Sequence, residues 1–154
     1  MSSDEVFLTQ LAAALENAKL EAIVVGSIAA VLHGSPITTQ DVDLLIRDSP
    51  KNHKKVEILA AVLGGSKPTT LSDLSRVVSI LGAGMRIDIL FDEIAGNLKF
   101  ESVRSRSVEK RIGQHRIKIA ALSDIIRSKE AADRPKDRIH LELLYAHIKL
   151  EREQ

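Results

Sequence analysis

The sequence predicts an α/β or α+β fold in which a mixed, mostly antiparallel sheet is flanked by helices. Short runs rich in Val, Ile and Leu end at glycine or other turn residues, which is typical of strands. Longer segments between them carry apolar residues at helical spacing. The 154 residues are 44% hydrophobic and only 3% aromatic, so we expect a single domain over 1–154 with an aliphatic core.

In the first half of the chain, turn residues mark the ends of the predicted elements. Gly26-Ser27 ends the first strand, Gly34-Ser35-Pro36 ends the helix after it, and Gly64-Gly65 ends the third helix. Asp48-Ser49-Pro50 caps the start of that third helix. The expected elements are a helix over 4–18, a strand over 21–25, a helix over 27–33, a strand over 41–46, a helix over 51–63, and a loop or short helical turn over 66–74.

The second half is predicted to contain two hairpins and three helices. Gly82-Ala83-Gly84 joins two β-rich runs, and Gly113 lies between two more. Ser123 lies near the expected N-cap of one helix, and Pro135 begins the last one. The apolar residues of that last helix include Ile139, Leu143, Leu144 and Ile148. The elements are strands over 76–81 and 85–91, a helix over 92–104, strands over 108–112 and 116–119, and a C-terminal pair of helices over 122–132 and 135–151.

The composition excludes several classes of protein. The absence of cysteine removes disulfides, thiolate metal sites and cysteine nucleophiles. No apolar run approaches the length needed to span a bilayer, and the N-terminal residues carry acids without a basic region, so neither a membrane segment nor a secretory signal is expected. We therefore expect a cytoplasmic protein. The net charge of +1 gives no overall bias toward nucleic acid.

Three carboxylates stand out as candidate site residues. Asp41 and Asp43 are two residues apart on a predicted strand, so they project from the same face. Asp88 lies in the middle of a later strand among aliphatic residues, which is an unusual place for a carboxylate without a partner. Such a set can hold one or two Mg²⁺ ions against the phosphates of a nucleoside triphosphate. Gly26-Ser27, between a strand and a helix, can offer backbone N–H groups to phosphate.

The order of these motifs resembles a known group of proteins. Gly26-Ser27, then Asp41-Val42-Asp43, then Asp88 within a hydrophobic strand is similar to the signature of the nucleotidyltransferase fold shared with DNA polymerase beta. The stretch from about residue 21 to 144 is more similar still to small bacterial nucleotidyltransferase-like proteins of the AbiEii and toxin–antitoxin type. The further matching residues are Thr39, Lys129, Arg134 and Asp137.

The resemblance implies roles for the matching residues. It implies that Asp41, Asp43 and Asp88 hold the metal and carry the catalysis. It implies that the nucleotide is bound by Gly26, Ser27, Thr39, Lys129 and Asp137, with Lys129 and Asp137 near the phosphates and the metal. Relatives often have an arginine in the loop where this chain has Ile37. Another cation can replace it, and the candidates are Arg47, Arg86 and Lys129.

The resulting functional hypothesis is a Mg²⁺-dependent enzyme that moves a nucleoside monophosphate from a triphosphate to an acceptor. The acceptor stays open between an RNA such as a tRNA 3′ end, a protein hydroxyl and a small molecule such as an aminoglycoside. An alternative is a non-catalytic nucleotide- or partner-binding module, such as one component of a toxin–antitoxin pair. A third is a purely structural protein, which requires that Asp41, Asp43 and Asp88 lie far apart.

Overall fold

The computed structural model describes residues 3–65, 69–70, 77–82 and 85–153. Its six helices and nine strands follow the predicted order closely, and the largest difference lies between residues 92 and 100. The helices are α1 (Ser3–Ala18), α2 (Gly26–Leu32), α3 (Pro50–Val62), α4 (Phe100–Arg106), α5 (Leu122–Ala132) and α6 (Pro135–Arg152). The strands are β1 (Ile23–Val25), β2 (Asp41–Ile46), β3 (Thr69–Thr70), β4 (Val77–Gly82), β5 (Met85–Phe91), β6 (Glu93–Ile94), β7 (Leu98–Lys99), β8 (Val108–Ile112) and β9 (His115–Ile119).

The larger sheet has seven strands in the order β3-β4-β5-β2-β1-β9-β8. Its four antiparallel pairs are β3/β4, β4/β5, β1/β2 and β8/β9, and its two parallel pairs are β2/β5 and β1/β9. The predicted mixed, mostly antiparallel sheet is therefore confirmed. The two parallel pairs bring together segments that are far apart in the chain, and this brings Asp43 beside Asp88.

The core is aliphatic, as the composition predicts. The central strands β1 and β2 are buried along most of their length, whereas β5 alternates between buried residues and partly exposed ones. α1 packs against α3, and α5 packs against both α2 and α6. The partly exposed residues of β5, which are Arg86, Asp88 and Leu90, face a cleft rather than the core.

The predicted helix over 92–104 is wrong in its first half. Residues 93–99 form the small β6–β7 hairpin, and only α4 is helical. Asp92, Gly96 and Asn97 have φ angles of 67°, 92° and 57°, which lie in the left-handed region and interrupt a right-handed helix. The dipeptide Gly96-Asn97 is a typical hairpin turn and was the available sequence signal.

Smaller differences concern the ends of elements. Thr69–Thr70 form strand β3 inside the segment predicted as a loop or helical turn, and the rest of that segment lies outside the described residues. The turn residues 83–84 of the predicted hairpin also lie outside them. Ser49 caps α3 as predicted, since its hydroxyl accepts a hydrogen bond from the Asn52 N–H at 3.1 Å. Ser123, in contrast, lies within α5, whose N-cap is Ala121.

The apolar residues expected in the last helix do not share one buried face. Leu144 is buried, but Ile139 is 61% exposed and Leu143 is 38% exposed. The buried face of α6 instead carries Asp137 and Leu141 together with Leu144. Helical spacing alone could not distinguish these faces, because α6 is apolar on two sides. Among the described residues, no helix is both long and apolar enough to cross a membrane.

Candidate functional site

The predicted acids lie on two adjacent parallel strands. In the register of β2 and β5, Asp43 lies opposite Asp88 and Asp41 lies opposite Arg86. Directly paired residues of neighbouring strands project from the same face of a sheet, so the Asp43 and Asp88 side chains are neighbours. Asp41 is exposed at the start of β2, whereas Asp43 and Asp88 are partly buried. The structure therefore places Asp43 beside Asp88, with Asp41 two residues before Asp43 on β2. The hypothesis of a purely structural protein requires these acids to lie far apart, which is not so for Asp43 and Asp88.

Gly26 allows the backbone to approach the Asp43 side chain closely. Its φ angle is +69°, and a Cβ atom built on it would clash with Oδ2 of Asp43 and would lie 3.2 Å from Cγ. A glycine is needed here for two independent reasons, which are the left-handed backbone and the close approach of a side chain. Gly26 begins α2 and Ser27 follows it, so the same turn determines the positions of the Asp43 carboxylate and the Ser27 hydroxyl.

The environment of Asp43 favours the protonated carboxyl. Burial and the nearby charge of Asp88 raise the pKa of Asp43 to about 6, although Lys136 and Arg134 act in the opposite direction. A carboxylate with a raised pKa beside a second carboxylate is a good ligand for a cation, since the cation removes both the desolvation penalty and the repulsion. This observation fits the predicted metal site.

Asp88 already has two partners. Its Oδ1 accepts a hydrogen bond from the Ser79 hydroxyl at 2.6 Å and another from Nε of Arg86 at 2.9 Å. Ser79 lies opposite Asp88 on β4, and Arg86 lies two residues away on the same face of β5. The sequence already offered Arg86 as an ion-pair partner of Asp88, because the two residues share one face of a strand. It did not reveal Ser79, which is visible only once the register of β4 and β5 is known.

As the side chains stand, the acids do not form a ready-made metal centre. Within the ranges that the structure describes, no group of three or more His, Asp or Glu side chains is arranged to hold a metal ion. Because Oδ1 of Asp88 accepts from Arg86, a metal shared by the three acids would have to compete with that guanidinium. The metal-binding role of Asp41, Asp43 and Asp88 stays a prediction.

A partly buried polar cluster lies on the α5–α6 side of the site, and we call it the lysine cluster. It consists of Ser27, Lys129, Asp137 and His140. Nζ of Lys129 donates to Oγ of Ser27 at 2.8 Å and contacts Nδ1 of His140 at 3.2 Å, and Ser27 Oγ lies 3.0 Å from the same Nδ1. Since an ammonium group only donates, Nδ1 of His140 is the acceptor in that contact and the imidazole is neutral.

Charge in the lysine cluster is balanced at short range. Lys129 is 5% exposed and Asp137 is fully buried, and Nζ of Lys129 lies 3.8 Å from Oδ1 of Asp137. Burial lowers the pKa of Lys129, with Asp137 acting in the opposite direction. Burial, followed by the charge of Lys129, lowers the pKa of His140. The resemblance implied roles for Lys129 and Asp137, whereas sequence reasoning missed His140. The burial of Lys129 and Asp137 shows that both are interior groups.

Arg134 determines the position of Asp137. Its backbone N–H and its Nε donate to Oδ2 of Asp137 at 3.1 and 2.7 Å, and its Nη2 donates to Oδ1 at 3.2 Å. Burial alone would raise the pKa of Asp137, but the guanidinium and backbone hydrogen bonds of Arg134 hold it below its usual range. The start of α6 therefore presents an ionised Asp137 to Lys129 and leaves Arg134 partly exposed toward the cleft.

The loop between α2 and β2 has a structural role at two positions. Oγ1 of Thr39 accepts a hydrogen bond from the Asp41 N–H at 3.3 Å, so Thr39 supports the start of β2. Ile37 is 5% exposed and belongs to the hydrophobic core. The environment of this position therefore favours an apolar side chain over a cation. Of the three candidate replacements, Arg86 and Lys129 line the cleft, whereas Arg47 pairs with Glu21 and Glu101 elsewhere.

A cleft of about 870 Å³ connects these groups. One wall carries Asp43 and Asp88, and a second carries cations from α5 and α6. The β6–β7 hairpin contributes Glu93, Ile94 and Asn97. The cations that line the cleft are Arg86, Lys129, Arg134 and Lys136. A volume of this size is typical of small-molecule and cofactor sites. The cations and carboxylates that line the cleft suit a ligand that carries several negative charges and binds together with a metal ion.

Comparison with known proteins agrees with this description. A family model described as "Nucleotidyl transferase of unknown function (DUF2204)" matches residues 5–152. No protein of curated function matches the sequence. Among solved structures, the solution structure of the antibiotic-resistance factor ANT(2'')-Ia has a TM-score of 0.64 at 17% identity, covering 96% of this chain and 85% of that one.

Two further structures share the fold. The crystal structure of ANT(2'')-Ia in complex with adenylyl-2''-tobramycin has a TM-score of 0.65 at 15% identity, covering 98% of this chain and 92% of that one. TM1012, a candidate nucleotidyltransferase from Thermotoga maritima, has a TM-score of 0.59 at 16% identity, covering 96% and 92%. At these identities the likeness concerns the fold alone. It confirms the predicted nucleotidyltransferase fold, whereas the similarity to AbiEii and toxin–antitoxin proteins stays a prediction.

Proposed function

Because the chain belongs to the family of nucleotidyl transferases of unknown function, we propose that it transfers a nucleoside monophosphate from a nucleoside triphosphate to a hydroxyl group in a Mg²⁺-dependent reaction. One observation carries this proposal: the Asp43–Asp88 pair and the cationic groups of α5 and the start of α6 line a single cleft. A triphosphate needs cations along its length and a metal at its reacting end, and this cleft offers residues for both.

The proposed reaction is an in-line displacement at the α-phosphorus. The acceptor oxygen forms a bond to that phosphorus, the bond from it to the bridging oxygen of the β-phosphate breaks, and pyrophosphate leaves. Asp41, Asp43 and Asp88 would hold Mg²⁺, which when bound neutralises phosphate charge and polarises the reacting group. Asp88 is the candidate to take up the proton of the acceptor hydroxyl. Lys129, together with Arg134, offsets the negative charge that develops on the leaving pyrophosphate.

The acceptor is not determined by these residues. ANT(2'')-Ia has been solved with adenylyl-2''-tobramycin, and a small-molecule hydroxyl is therefore one acceptor to test here. An RNA end and a protein hydroxyl are the other two. A toxin–antitoxin partner is one possible source of a protein hydroxyl, and a panel of acceptors is needed to distinguish the three classes.

A non-catalytic nucleotide-binding module is the second candidate function. The ion pair between Arg86 and Asp88 favours it, because Oδ1 of the third acid is engaged at 2.9 Å. If this pair persists when nucleotide binds, the protein would bind a triphosphate without turning it over.

Pyrophosphate release distinguishes the two candidates. We expect the wild-type protein to bind a nucleoside triphosphate by calorimetry only with Mg²⁺, and to release pyrophosphate when a suitable acceptor is present. Asp88→Asn is expected to lower the release rate at least about 100-fold. Glu57→Gln, which removes an exposed carboxylate of α3, serves as the matched control and is expected to behave like wild type.

The outcomes of this experiment separate the hypotheses. Mg²⁺-dependent binding without pyrophosphate release over RNA, protein and aminoglycoside acceptors would favour the binding module. No Mg²⁺-dependent nucleotide binding at all would contradict both. If Asp88→Asn releases pyrophosphate at the wild-type rate, Asp88 is not a catalytic residue.

His140 is expected to act on the triphosphate through Lys129. His140→Leu removes the acceptor at Nδ1, 3.2 Å from the Lys129 ammonium, and we expect it to raise the KM for the triphosphate roughly tenfold with a smaller change in kcat. His140→Asn keeps an acceptor atom near the position of Nδ1 and is expected to restore most of the affinity. If the two variants have equal KM values, or if melting temperature alone changes, His140 does not position Lys129.

A further inference from the structure

α6 has an apolar stripe that the fold leaves exposed, opposite its buried face. The stripe consists of Ile139, Leu143, Ala146 and Leu150, all classed as exposed. Ile139 and Leu150 are 61% and 60% exposed. Their spacings of four, three and four residues are those of the contact positions in a two-helix coiled coil. The buried face, with Asp137, Leu141 and Leu144, points to the protein interior.

The charges beside the stripe suggest what covers it. One flank carries Glu142 and Lys149, which are seven residues apart and of opposite sign. When two such helices pair in opposite directions, Ile139 meets Leu150 of the other copy and Leu143 meets Ala146. In the same register, Glu142 lies beside Lys149 of the other copy. The two-fold symmetry repeats each of these pairs.

A parallel arrangement lacks this complementarity. In a parallel pair, Glu142 would lie beside His147 of the other copy, so the acid–lysine pair would be lost. The charges beside the stripe are therefore self-complementary only when the two helices are antiparallel.

We propose that α6 forms an antiparallel, two-fold symmetric interface between two copies of this chain. The helix has 18 residues and is about 27 Å long, so the stripe occupies most of its length. Four apolar side chains from each copy make a small interface, and dissociation in the micromolar range is expected. The proposal does not depend on the chemistry of the cleft, to which α6 contributes Lys136 at its N-terminal end.

Light scattering after size exclusion tests the proposal on the full chain. Wild type is expected to change from monomer to dimer with rising concentration, up to about 0.1 mM. Leu143→Glu places a charge in the centre of the stripe and is expected to leave only monomer. Ile58→Glu is the matched control, because Ile58 is 48% exposed on α3 and far from the stripe in sequence, and it should dimerise like wild type. Circular dichroism confirms that both variants are folded.

Charge exchange tests the direction of the helices. Glu142→Lys and Lys149→Glu each place like charges together, and each is expected to weaken dimerisation about tenfold. The double variant restores both pairs and should regain wild-type affinity, and a mixture of the two single variants should form heterodimers.

Two results would overturn the proposal. A wild-type protein that stays monomeric up to 0.1 mM excludes a second copy as the occupant and points to a different partner for the stripe. Dimers that form but do not respond to the charge exchange exclude the antiparallel α6 interface.

Discussion

Asp43→Asn is expected to stabilise the metal-free protein above pH 7 while abolishing Mg²⁺-dependent nucleotide binding. Burial and Asp88 raise the pKa of Asp43 from 3.8 to about 6, so the ionised carboxylate destabilises the folded state. The shift corresponds to about 2–3 kcal/mol at pH 8. For a domain of this size, the melting temperature should rise by roughly 6–10 °C.

The sign of the pH dependence follows from the direction of the shift. Because the pKa of Asp43 is higher in the folded state than in the unfolded state, its contribution to stability is fully present below about pH 4 and is lost as the pH rises through about 6. Asparagine cannot ionise, so the difference between the variant and wild type should vanish near pH 4 and reach its maximum above pH 7. Melting curves between pH 4 and 8, without metal, measure it.

Two controls distinguish the effect of the raised Asp43 pKa from a general change in stability. Asp41→Asn removes an exposed carboxylate of the same cluster, so its melting temperature should stay within about 2 °C of wild type across the range. Adding Mg²⁺ with nucleotide should raise the melting temperature of wild type but not of Asp43→Asn. If Asp43→Asn is no more stable than wild type at pH 8, the folded state does not raise the pKa of the Asp43 carboxyl.

Gly26→Ala is expected to destabilise the protein by about 3–4 kcal/mol and to lower transfer activity at least about 100-fold. Two effects add together here. An alanine must adopt a φ angle of +69°, and its Cβ would displace the Asp43 carboxylate, whose Cγ would lie only 3.2 Å away. Urea unfolding measures the first quantity, and pyrophosphate release measures the second.

Gly64→Ala isolates the backbone effect. Gly64 has a similar φ angle of +66°, and a Cβ there would meet no atom within 4 Å. Gly64→Ala should therefore lower the free energy of unfolding only by the backbone strain, about 1–2 kcal/mol, and leave transfer activity unchanged. The double variant Gly26→Ala with Asp43→Ala removes the clashing atoms and should be less destabilised than the sum of its single changes. Additive effects would show that Gly26 does not constrain Asp43.

The contribution of the sequence is clearest in β2 and β5. The boundaries of β2 were predicted correctly, and so was the position of Asp88 on β5, because alternation of apolar and polar residues along a strand is a local property. The bounds of α5 and the start of α6 were also predicted correctly, because helical spacing and Pro135 in the first turn of α6 are local signals. The 93–99 hairpin was missed because its strands have two residues each, too few for periodicity to appear.

The sequence by itself determined the class of fold, the order of the acids along the chain and the chemistry that their residue types allow. Only the tertiary structure decided that Asp43 lies beside Asp88, that the Ser79 hydroxyl donates to Asp88, and that Lys129 is buried against Ser27 and His140. The physical reason is that periodicity determines which face a side chain occupies, whereas the neighbour across that face comes from a distant segment. Such contacts depend on strand register and helix packing, which no local pattern in this chain encodes.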